Sequence, residues 1–359
     1  MKSLYLLFTF QILIVNLLAQ EIIIDSIAEL PSQIEESSGL IFYNNKLITH
    51  TDSGESALYE IDENNSQIDR IVYIKNVTNT DWEDITQDQD YIYIGNFGNN
   101  NGNRTDLEII KIDKLEYSSQ DSVEPEFIKF SYEDQIDFTS TNFTTNFDAE
   151  ALISYKDSLY VFTKNWGNKE TNIYSIPKET GTFIAKKLAN YDTECMITGA
   201  SYNPNTNKIV LCAYTIGFPF LFELKGFSGS DFFGESVKKF SVLNKGSFQI
   251  ESVCYKNDVK YYMSSEKFYN SNPVLQSFTL EYANNVSKVD IGFNIYPNPT
   301  NSNIYVDTEF DEINIYNYQM QFIKNVTKNN IELKNESNGI YFLEIFKNKQ
   351  RIIVKVEKY

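Results

Sequence analysis

Residues 80–100 read TDWEDITQDQDYIYIGNFGNN. An acidic start leads into a short apolar strand, a polar turn follows, and a second apolar strand ends in a Gly- and Asn-rich exit. Alternation of apolar and polar residues with period two is typical of β-strands, and a polar turn between two such runs favours a hairpin. The stretch therefore predicts a β-hairpin with acidic residues at its start.

The same pattern recurs four more times along the chain. The related stretches are ESSGLIFYNNKLITHTDSG (36–54), FDAEALISYKDSLYVFTKNWG (147–167), ITGASYNPNTNKIVLCAYTIG (197–217) and IESVCYKNDVKYYMSSEKF (250–268). Further strand-like runs, such as ALYEID and IDRIVYIK, lie between these hairpins. The repeat positions lie about 53 residues apart on average and are Ser38, Glu83, Glu150, Gly199 and Glu251. Repeats of four short strands at this spacing are typical of propeller blades.

The N-terminal strand predicts how the ring closes. The fifth repeat has only three evident strands, whereas EIIIDSIAEL at 21–30 has no hairpin of its own. This strand would complete the last repeat and remove an open sheet edge. We therefore predict an all-β chain with a five-bladed β-propeller over residues 20–288. A six-bladed propeller remains an alternative because segment 100–146 has room for more strands, and a β-sandwich is a second alternative.

Composition and charge limit the partners and the compartment. The formal net charge of -18 argues against nucleic acid, and the excess of acid lies before residue 292. Residues 1–19 have one lysine, an apolar centre and Ala19, which is typical of a secretory signal peptide, with an uncleaved anchor as the alternative. No later stretch is long and apolar enough for a membrane span, so the mature chain is expected to have none.

Cysteine and histidine limit the chemistry further. Cys195, Cys212 and Cys254 match no zinc signature, and we interpret them as buried apolar side chains, with a single disulfide as the alternative. His50 is the only histidine, so a site with several imidazole ligands is excluded. No Gly-x-Ser-x-Gly motif is present, which disfavours a serine hydrolase of that type.

The C-terminal stretch has three ordered motifs. They are GFNIYPNPTNSNIYVD (292–307), NGIYFLEI (338–345) and IIVKVEKY (352–359). Together they resemble a type IX secretion type A sorting domain of exported Bacteroidetes proteins, and the boundary falls near residue 289. The resemblance implies a small β-sandwich that binds the type IX secretion machinery and its sortase, and a protein that is secreted or attached to the outer-membrane surface. The alternative is an ordinary adhesion-like module.

The first part of the chain resembles exported Bacteroidetes propellers of unassigned function. The shared stretches are EESSGL, DWEDI, GNFGNN, DAEAL and FTKNW. A looser likeness to SdiA-regulated or phytase-like esterase propellers rests on the acidic starts of the repeats.

Polar residues at two positions of each repeat predict a site. In a propeller, the start of the first strand and the end of the second converge at the mouth of the central channel. The first position holds Glu83, Glu150 and Glu251, with Asp84 and Asp148 beside it, and the second holds Asp52, Asn96, Lys164, Tyr214 and Glu266. Converging carboxylates repel one another unless a cation compensates them. An all-oxygen set suits Ca²⁺, so we predict a calcium site formed by Asp52, Glu83, Glu150, Glu251 and Glu266. The alternative is that these side chains solvate the channel or bond neighbouring backbones.

Aromatic residues in the exits of the second strands predict a binding rim. Phe97, Trp166 and Phe268 lie near the middle of Gly- and Asn-rich turns. Aromatic faces beside amides bind sugars or peptides by stacking and hydrogen bonds. With Asn96, Lys164 and Tyr214, they are the predicted ligand-binding residues; the alternative is that the aromatic rings fold back as loop cores.

Two functions follow from this site. The first is binding of a small ligand or glycan in an acidic funnel that holds Ca²⁺. The second is a metal-assisted hydrolase of ester, lactone or phosphate bonds that uses Glu83, Glu150 and Glu251 as catalytic groups.

Overall fold

The computed structural model describes residues 20–215, 218–243, 249–267, 271–280, 295–307, 309–318, 322–347 and 350–359. The predicted signal peptide at 1–19 and the predicted domain boundary near residue 289 lie outside these ranges.

The described strands before the boundary form five four-stranded antiparallel units. The N-terminal strand is β1 (Gln20–Glu29), followed by a 3₁₀ turn at Ser32–Ile34. Unit 1 contains β2 (Ser37–Tyr43), β3 (Lys46–Thr51), β4 (Ala57–Ile61) and β5 (Ile68–Ile74). Unit 2 contains β6 (Trp82–Gln87), β7 (Tyr91–Asn96), β8 (Glu108–Asp113) and, after α1 (Lys114–Ser119) and β9 (Ser122–Val123), β10 (Glu126–Tyr132). Unit 3 contains β11 (Ala149–Tyr155), β12 (Ser158–Thr163), β13 (Glu170–Pro177) and β14 (Gly181–Asp192).

The last two units include the closure of the ring. Unit 4 contains β15 (Met196–Asn203), β16 (Lys208–Thr215), β17 (Phe218–Lys225) and β18 (Ser236–Leu243). Unit 5 contains β19 (Ile250–Tyr255), β20 (Lys260–Ser265), β21 (Val274–Thr279) and the N-terminal strand β1. The predicted pairing of the N-terminal strand with the last repeat is confirmed: β1 lies antiparallel to β21 and, over its first four residues, parallel to β18.

The first strands of the units lie side by side around one centre. Strand β2 contacts β6, β6 contacts β11, β11 contacts β15, β15 contacts β19, and β19 contacts β2. Segment 100–146, which left room for an additional blade, contributes β8, α1, β9 and β10 to unit 2 and its flank. The result is a propeller-like all-β fold.

A separate hydrophobic core lies between each pair of neighbouring units. Because side chains of a strand alternate between faces, each unit sends one set of apolar residues to each neighbour. Trp82 of unit 2 packs with Ile48 of unit 1, whereas Tyr93 of unit 2 packs with Leu152 of unit 3. This arrangement explains why aromatic and β-branched residues occupy both faces of the strands.

The three cysteines are buried and unpaired. Cys195, Cys212 and Cys254 belong to three different inter-unit cores, so the fold keeps them apart. The interpretation as apolar core residues is therefore confirmed, and no disulfide joins them.

The C-terminal region folds as two small sheets. One contains β22 (Ile295–Tyr296), β23 (Asn303–Val306) and β26 (Asn330–Glu332); the other contains β24 (Glu312–Asn317), β25 (Phe322–Val326), β27 (Gly339–Lys347) and β28 (Gln350–Lys358). Side chains of both sheets, among them Ile304, Ile331, Ile315 and Leu343, share one buried core. The region is thus sandwich-like, as its sequence predicts.

No membrane-spanning helix is found in the part of the chain that the structure describes.

Asp84 joins the first strands of three units at the centre of the ring. Its carboxylate accepts hydrogen bonds from the backbone N–H groups of Leu152 in unit 3 (2.7 Å) and Ala200 in unit 4 (3.1 Å). The other oxygen accepts the N–H of Ile85 at 2.8 Å. Burial raises the pKa of Asp84, while the three backbone donors act in the opposite direction. Asp84, which the sequence places beside the predicted site, thus bonds neighbouring backbones.

Replacing Asp84 should destabilise the ring. Asp84→Ala leaves two inter-unit N–H groups without an acceptor, at about 1–3 kcal/mol each, so we expect the free energy of unfolding to fall by about 3 kcal/mol. Asp84→Asn retains an acceptor oxygen and should have a smaller effect. Urea unfolding measures both, with the exposed Glu179→Gln as control. Equal stability of Asp84→Ala and the wild type would contradict the proposed role.

Candidate functional site

A β-bulge interrupts the start of the first strand in every unit. The register skips one residue between Ser37 and Gly39, Trp82 and Asp84, Ala149 and Ala151, Ile197 and Gly199, and Ile250 and Ser252. The bulged residues, the inner tier, are Ser38, Glu83, Glu150, Thr198 and Glu251. Bulges redirect side chains and are common beside functional sites. The repeat position in unit 4 is therefore Thr198, one residue before the predicted Gly199.

A second set of side chains lies two residues before each bulge, on the same side of its strand. These residues are Glu36, Asp81, Asp148, Met196 and Gln249. Of these residues, only Asp148 is among the side chains predicted from the sequence to lie beside the site. The Asp-x-Glu spacing shared by DWE and DAE could also have indicated Asp81, because it places two carboxylates on one face of a strand.

The residues that follow the second strands form the outer tier. Backbone N–H groups of Asp52, Lys164 and Glu266 donate to the carbonyls of Glu36, Asp148 and Gln249, respectively. Tyr214 pairs with Met196 at the same level of unit 4. In unit 2 the corresponding donor to Asp81 is Gly98, not Asn96.

Asn96 and Phe97, which the sequence places among the ligand-binding residues of the mouth, are both buried in the structure. In unit 2 the outer-tier donor lies seven residues beyond the first apolar residue of the strand, Tyr91, whereas in units 1, 3 and 5 it lies five residues beyond, so a count of five selects Asn96 instead of Gly98. The Asn96 amide donates to Glu108 Oε1 (3.1 Å) within its own unit. Phe97 is fully buried and packs edge-on against Phe130 in the core between units 2 and 3.

Because Gly98 has no side chain, the carboxyl groups of Glu83 and Asp81 can lie against its backbone. A Cβ atom at this position would lie 2.2 Å from Glu83 Oε1 and 2.4 Å from Asp81 Oδ2. Arg104 holds the turn in place by donating to the carbonyls of Gly98 (2.8 Å) and Asn96 (3.3 Å). The Gly-Asn-Phe-Gly exit is therefore shaped to bring backbone against carboxylates.

Three buried carboxylates meet at the centre of the site, which we call the acidic centre. Oxygen atoms of Glu83, Asp148 and Glu150 all lie within 4.8 Å of one another. Asp148 accepts hydrogen bonds from the backbone N–H of Asn99 (2.5 Å) and from Trp166 Nε1 (2.7 Å). Glu83 accepts a long hydrogen bond from Ser38 Oγ, at 3.5 Å, and shares a hydrogen bond with the Asp81 carboxyl group.

Burial raises the pKa values of the acidic centre. For Glu83, loss of solvent is the main cause, followed by repulsion from Glu150 and Asp81. Burial and then the neighbouring Asp148 and Glu251 raise the pKa of Glu150, against the lowering effect of Lys164. The site therefore disfavours full ionisation unless further positive charge is supplied.

Lys164 supplies one positive charge to this group. Its ammonium donates to Glu150 Oε1 at 3.0 Å and lies 4.9 Å from the Trp166 ring centre and 5.4 Å from that of Tyr214. Burial lowers the pKa of Lys164, but Glu150 and Glu251 outweigh this effect and the pKa is raised. Lys164 is therefore held as a cation against Glu150.

A second group of carboxylates lies on the side of units 5 and 1. Glu251 is 4% exposed, shares a hydrogen bond with Glu266, and keeps a buried Oε1 atom without a partner in the described structure. Glu266 also contacts the Gln249 amide. Burial and the neighbouring Glu36 raise the pKa of Asp52 to about 6. Of the five residues of the predicted calcium site, Glu83, Glu150, Glu251 and Glu266 feel the charge of Lys164, whereas Asp52 lies beside Glu36 and Glu266. Only Glu83 and Glu150 belong to the acidic centre.

Trp166 and His50 lie in different surroundings. Trp166 is half-buried beside Asp148, whereas Phe268 lies outside the described residues. His50 is fully buried, contacts Trp82, and has a pKa lowered to about 4 by burial. It therefore lies in the core of unit 1, away from a base position.

A small cavity lies further along the first strands. Leu40, Ile85, Ala200 and Cys254 from four of these strands help line it, and its volume is about 10 Å³.

Comparisons with known proteins identify the C-terminal region. Residues 294–358 match the family described as "Secretion system C-terminal sorting domain". The chain thus ends in a secretion sorting domain. This domain supports export by the type IX machinery to the cell surface or the medium, and it corresponds to the sandwich-like region.

The remaining comparisons concern the fold. The chain is similar to the Dos1 propeller, with 13% identity over 89% of this chain and 77% of that chain, and a TM-score of 0.32. It is also similar to BamB from Moraxella catarrhalis (12% identity, 90% and 83% covered, TM-score 0.25) and to a putative 6-phosphogluconolactonase from Bacteroides uniformis (11%, 91% and 89%, TM-score 0.36). A comparison with curated proteins finds no match.

A side chain at residue 98 should disrupt the site. Because the new Cβ would overlap Glu83 and Asp81, we expect Gly98→Ala to lower the free energy of unfolding by about 1–3 kcal/mol. Asn101→Ala changes an exposed residue of the same turn and should leave stability unchanged. Urea unfolding compares the two variants; an unaffected Gly98→Ala would show that the carboxylates are not held against this backbone.

Proposed function

We propose that this chain is an exported, surface-displayed ligand-binding protein, a five-bladed β-propeller whose mouth holds a calcium ion. The contacts between the five first strands, and the pairing of β1 with β21, support five blades. The sorting domain supports export, and the signal peptide and the removal of the C-terminal domain by a sortase are parts of the same proposal.

The acidic centre carries the calcium proposal. Two oxygens bound to one Ca²⁺ at about 2.4 Å can lie at most about 4.8 Å apart, and Glu83, Asp148 and Glu150 meet this condition. Eight carboxyl groups lie in or beside the mouth, and they are Glu36, Asp52, Asp81, Glu83, Asp148, Glu150, Glu251 and Glu266. Lys164 neutralises one of them, so a divalent cation would relieve the remaining repulsion.

The surroundings fit an oxygen-bound cation. The donors are carboxylates, which Ca²⁺ prefers over the nitrogen and sulfur ligands of zinc. Gly98 keeps the approach to Glu83 free of a side chain, and the unpartnered Glu251 Oε1 offers a further acceptor in the same mouth. These features support a site built for a cation more than a solvated channel.

Calcium should stabilise the protein through this centre. At free Ca²⁺ about 100 times its Kd, binding adds roughly 2.7 kcal/mol to the free energy of unfolding, so the unfolding temperature should rise with Ca²⁺ and fall with EDTA. Glu150→Gln should abolish the shift, whereas Glu179→Gln, an exposed carboxylate elsewhere in unit 3, should keep it. Absence of a shift in the wild type, together with no calcium by elemental analysis, would reject the site.

A metal-assisted hydrolase is the second candidate. The raised pKa values of Glu83, Glu150 and Glu251 favour it, since a protonated carboxyl group beside an ionised one can act as an acid–base pair. An enzyme of this kind should hydrolyse p-nitrophenyl acetate or bis(p-nitrophenyl) phosphate with Ca²⁺ present, and Glu150→Gln should abolish turnover. A binding protein shows no turnover with either compound, which is the result we expect.

A further inference from the structure

Phe143 has an unusual backbone conformation for a bulky residue. It lies in a segment outside helices and strands, between β10 and β11, and its φ angle is +49°. Bulky side chains rarely adopt this left-handed conformation, and such strain is concentrated at functional sites. Although it is a large apolar residue, Phe143 is 51% exposed. Burial therefore does not account for its conformation.

The segment that carries Phe143 is fixed to the mouth. The Gln135 amide donates to the Gly102 carbonyl at 2.8 Å, and the Thr141 N–H donates to the Asn101 carbonyl at 2.8 Å. Both acceptors belong to the turn that also contains Gly98. The position of Phe143 is thus coupled to the turn that faces Glu83.

Phe143 is linked to the acidic centre through one residue. Its ring packs edge-on against Trp166, with ring centres 4.9 Å apart and an interplanar angle of 68°. Trp166 in turn donates to Asp148 and lies against the Lys164 ammonium. An exposed aromatic ring is therefore separated by one residue, Trp166, from a carboxylate that is proposed to hold a cation.

We propose that Phe143, packed against Trp166, forms a carbohydrate-binding platform, on which a neutral sugar ring stacks while its vicinal hydroxyl groups reach the calcium ion. This inference rests on the proposed calcium site. The apolar face of a pyranose matches an exposed aromatic ring, and its hydroxyl oxygens are ligands of the kind that Ca²⁺ accepts.

The charges around the platform favour a neutral ligand. The carboxylates of the acidic centre repel anionic groups, and Lys164 already occupies the contact with Glu150 that a ligand ammonium would use. The half-exposed Asn146 side chain, which accepts the Gly167 N–H at 3.2 Å, places an amide group in the same segment as Phe143. Sugars bind through this combination of an aromatic face with polar groups.

Calorimetric titration with neutral trisaccharides tests the platform. The probes are β-linked trisaccharides of glucose, galactose and N-acetylglucosamine, added to the calcium-loaded full chain. We expect at least one to bind, Phe143→Ala to weaken it at least tenfold, Phe143→Tyr to stay within threefold of the wild type, and EDTA to abolish binding. Phe138→Ala, which removes a 39% exposed ring from the same segment, is the matched control and should bind normally.

Phe143→Gly separates a binding role from a structural one. Glycine adopts φ +49° without strain, so the variant should unfold at the same or a higher temperature while it loses sugar binding. A lower unfolding temperature with unchanged sugar binding would show that Phe143 is structural and would overturn the proposal.

The remaining outcomes are also decisive. Calcium binding without binding of any trisaccharide overturns the platform but leaves the calcium site intact. Failure to bind calcium rejects the proposed function itself. Binding of hexalysine instead of the sugars, weakened by Phe143→Ala, would identify a cationic ligand and overturn the carbohydrate assignment.

Discussion

The hydrogen bonds of Asp84 hold the centre of this fold together. One carboxylate joins the first strands of units 2, 3 and 4 because it accepts the backbone N–H groups of Leu152 and Ala200. Each first strand is buried on both sides, so a missing acceptor here would cost free energy at the most constrained place of the ring. A carboxylate that the sequence groups with the predicted site therefore supports the structure instead.

The repeated bulge converts this rigid ring into a site. In each unit the bulge displaces one residue near the start of the first strand, the second residue in units 1, 2, 3 and 5 and the third in unit 4, while the next residue resumes the ladder. Units 2, 3 and 5 use the bulge to present a glutamate, and units 1 and 4 present the smaller hydroxyl side chains of Ser38 and Thr198. Burial of several carboxylates with one lysine lowers the stability of the fold. Natural proteins keep such destabilising arrangements mainly at functional sites. Phe143 is a second unfavourable arrangement, because its apolar ring is exposed and its backbone is strained.

Much of the fold could be predicted because its signals are local. Strand alternation and the repeat spacing identified the hairpins, and the unpaired N-terminal strand indicated the closure with β21. The site was harder, since it depends on register. Counting from the first apolar residue located Asp52, Lys164 and Glu266. In unit 2 the equivalent residue is Gly98, two positions later than the count, while Phe97 lies in the core and Asn96 donates to Glu108. Likewise the bulge, which no single hairpin sequence reveals, selected Thr198 over Gly199.

The sequence by itself determined the all-β class, the repeat, the acidic character of the strand starts and the C-terminal sorting domain. These follow from composition, period-two alternation and short motifs, which act over a few residues. Only the tertiary structure decided which carboxylates meet. Glu83 and Glu150 are 67 residues apart in sequence, and their distance depends on how two units pack and on where each bulge falls. The roles of Asp84, Gly98 and Phe143 were likewise decided there, because each depends on atoms contributed by a distant part of the chain.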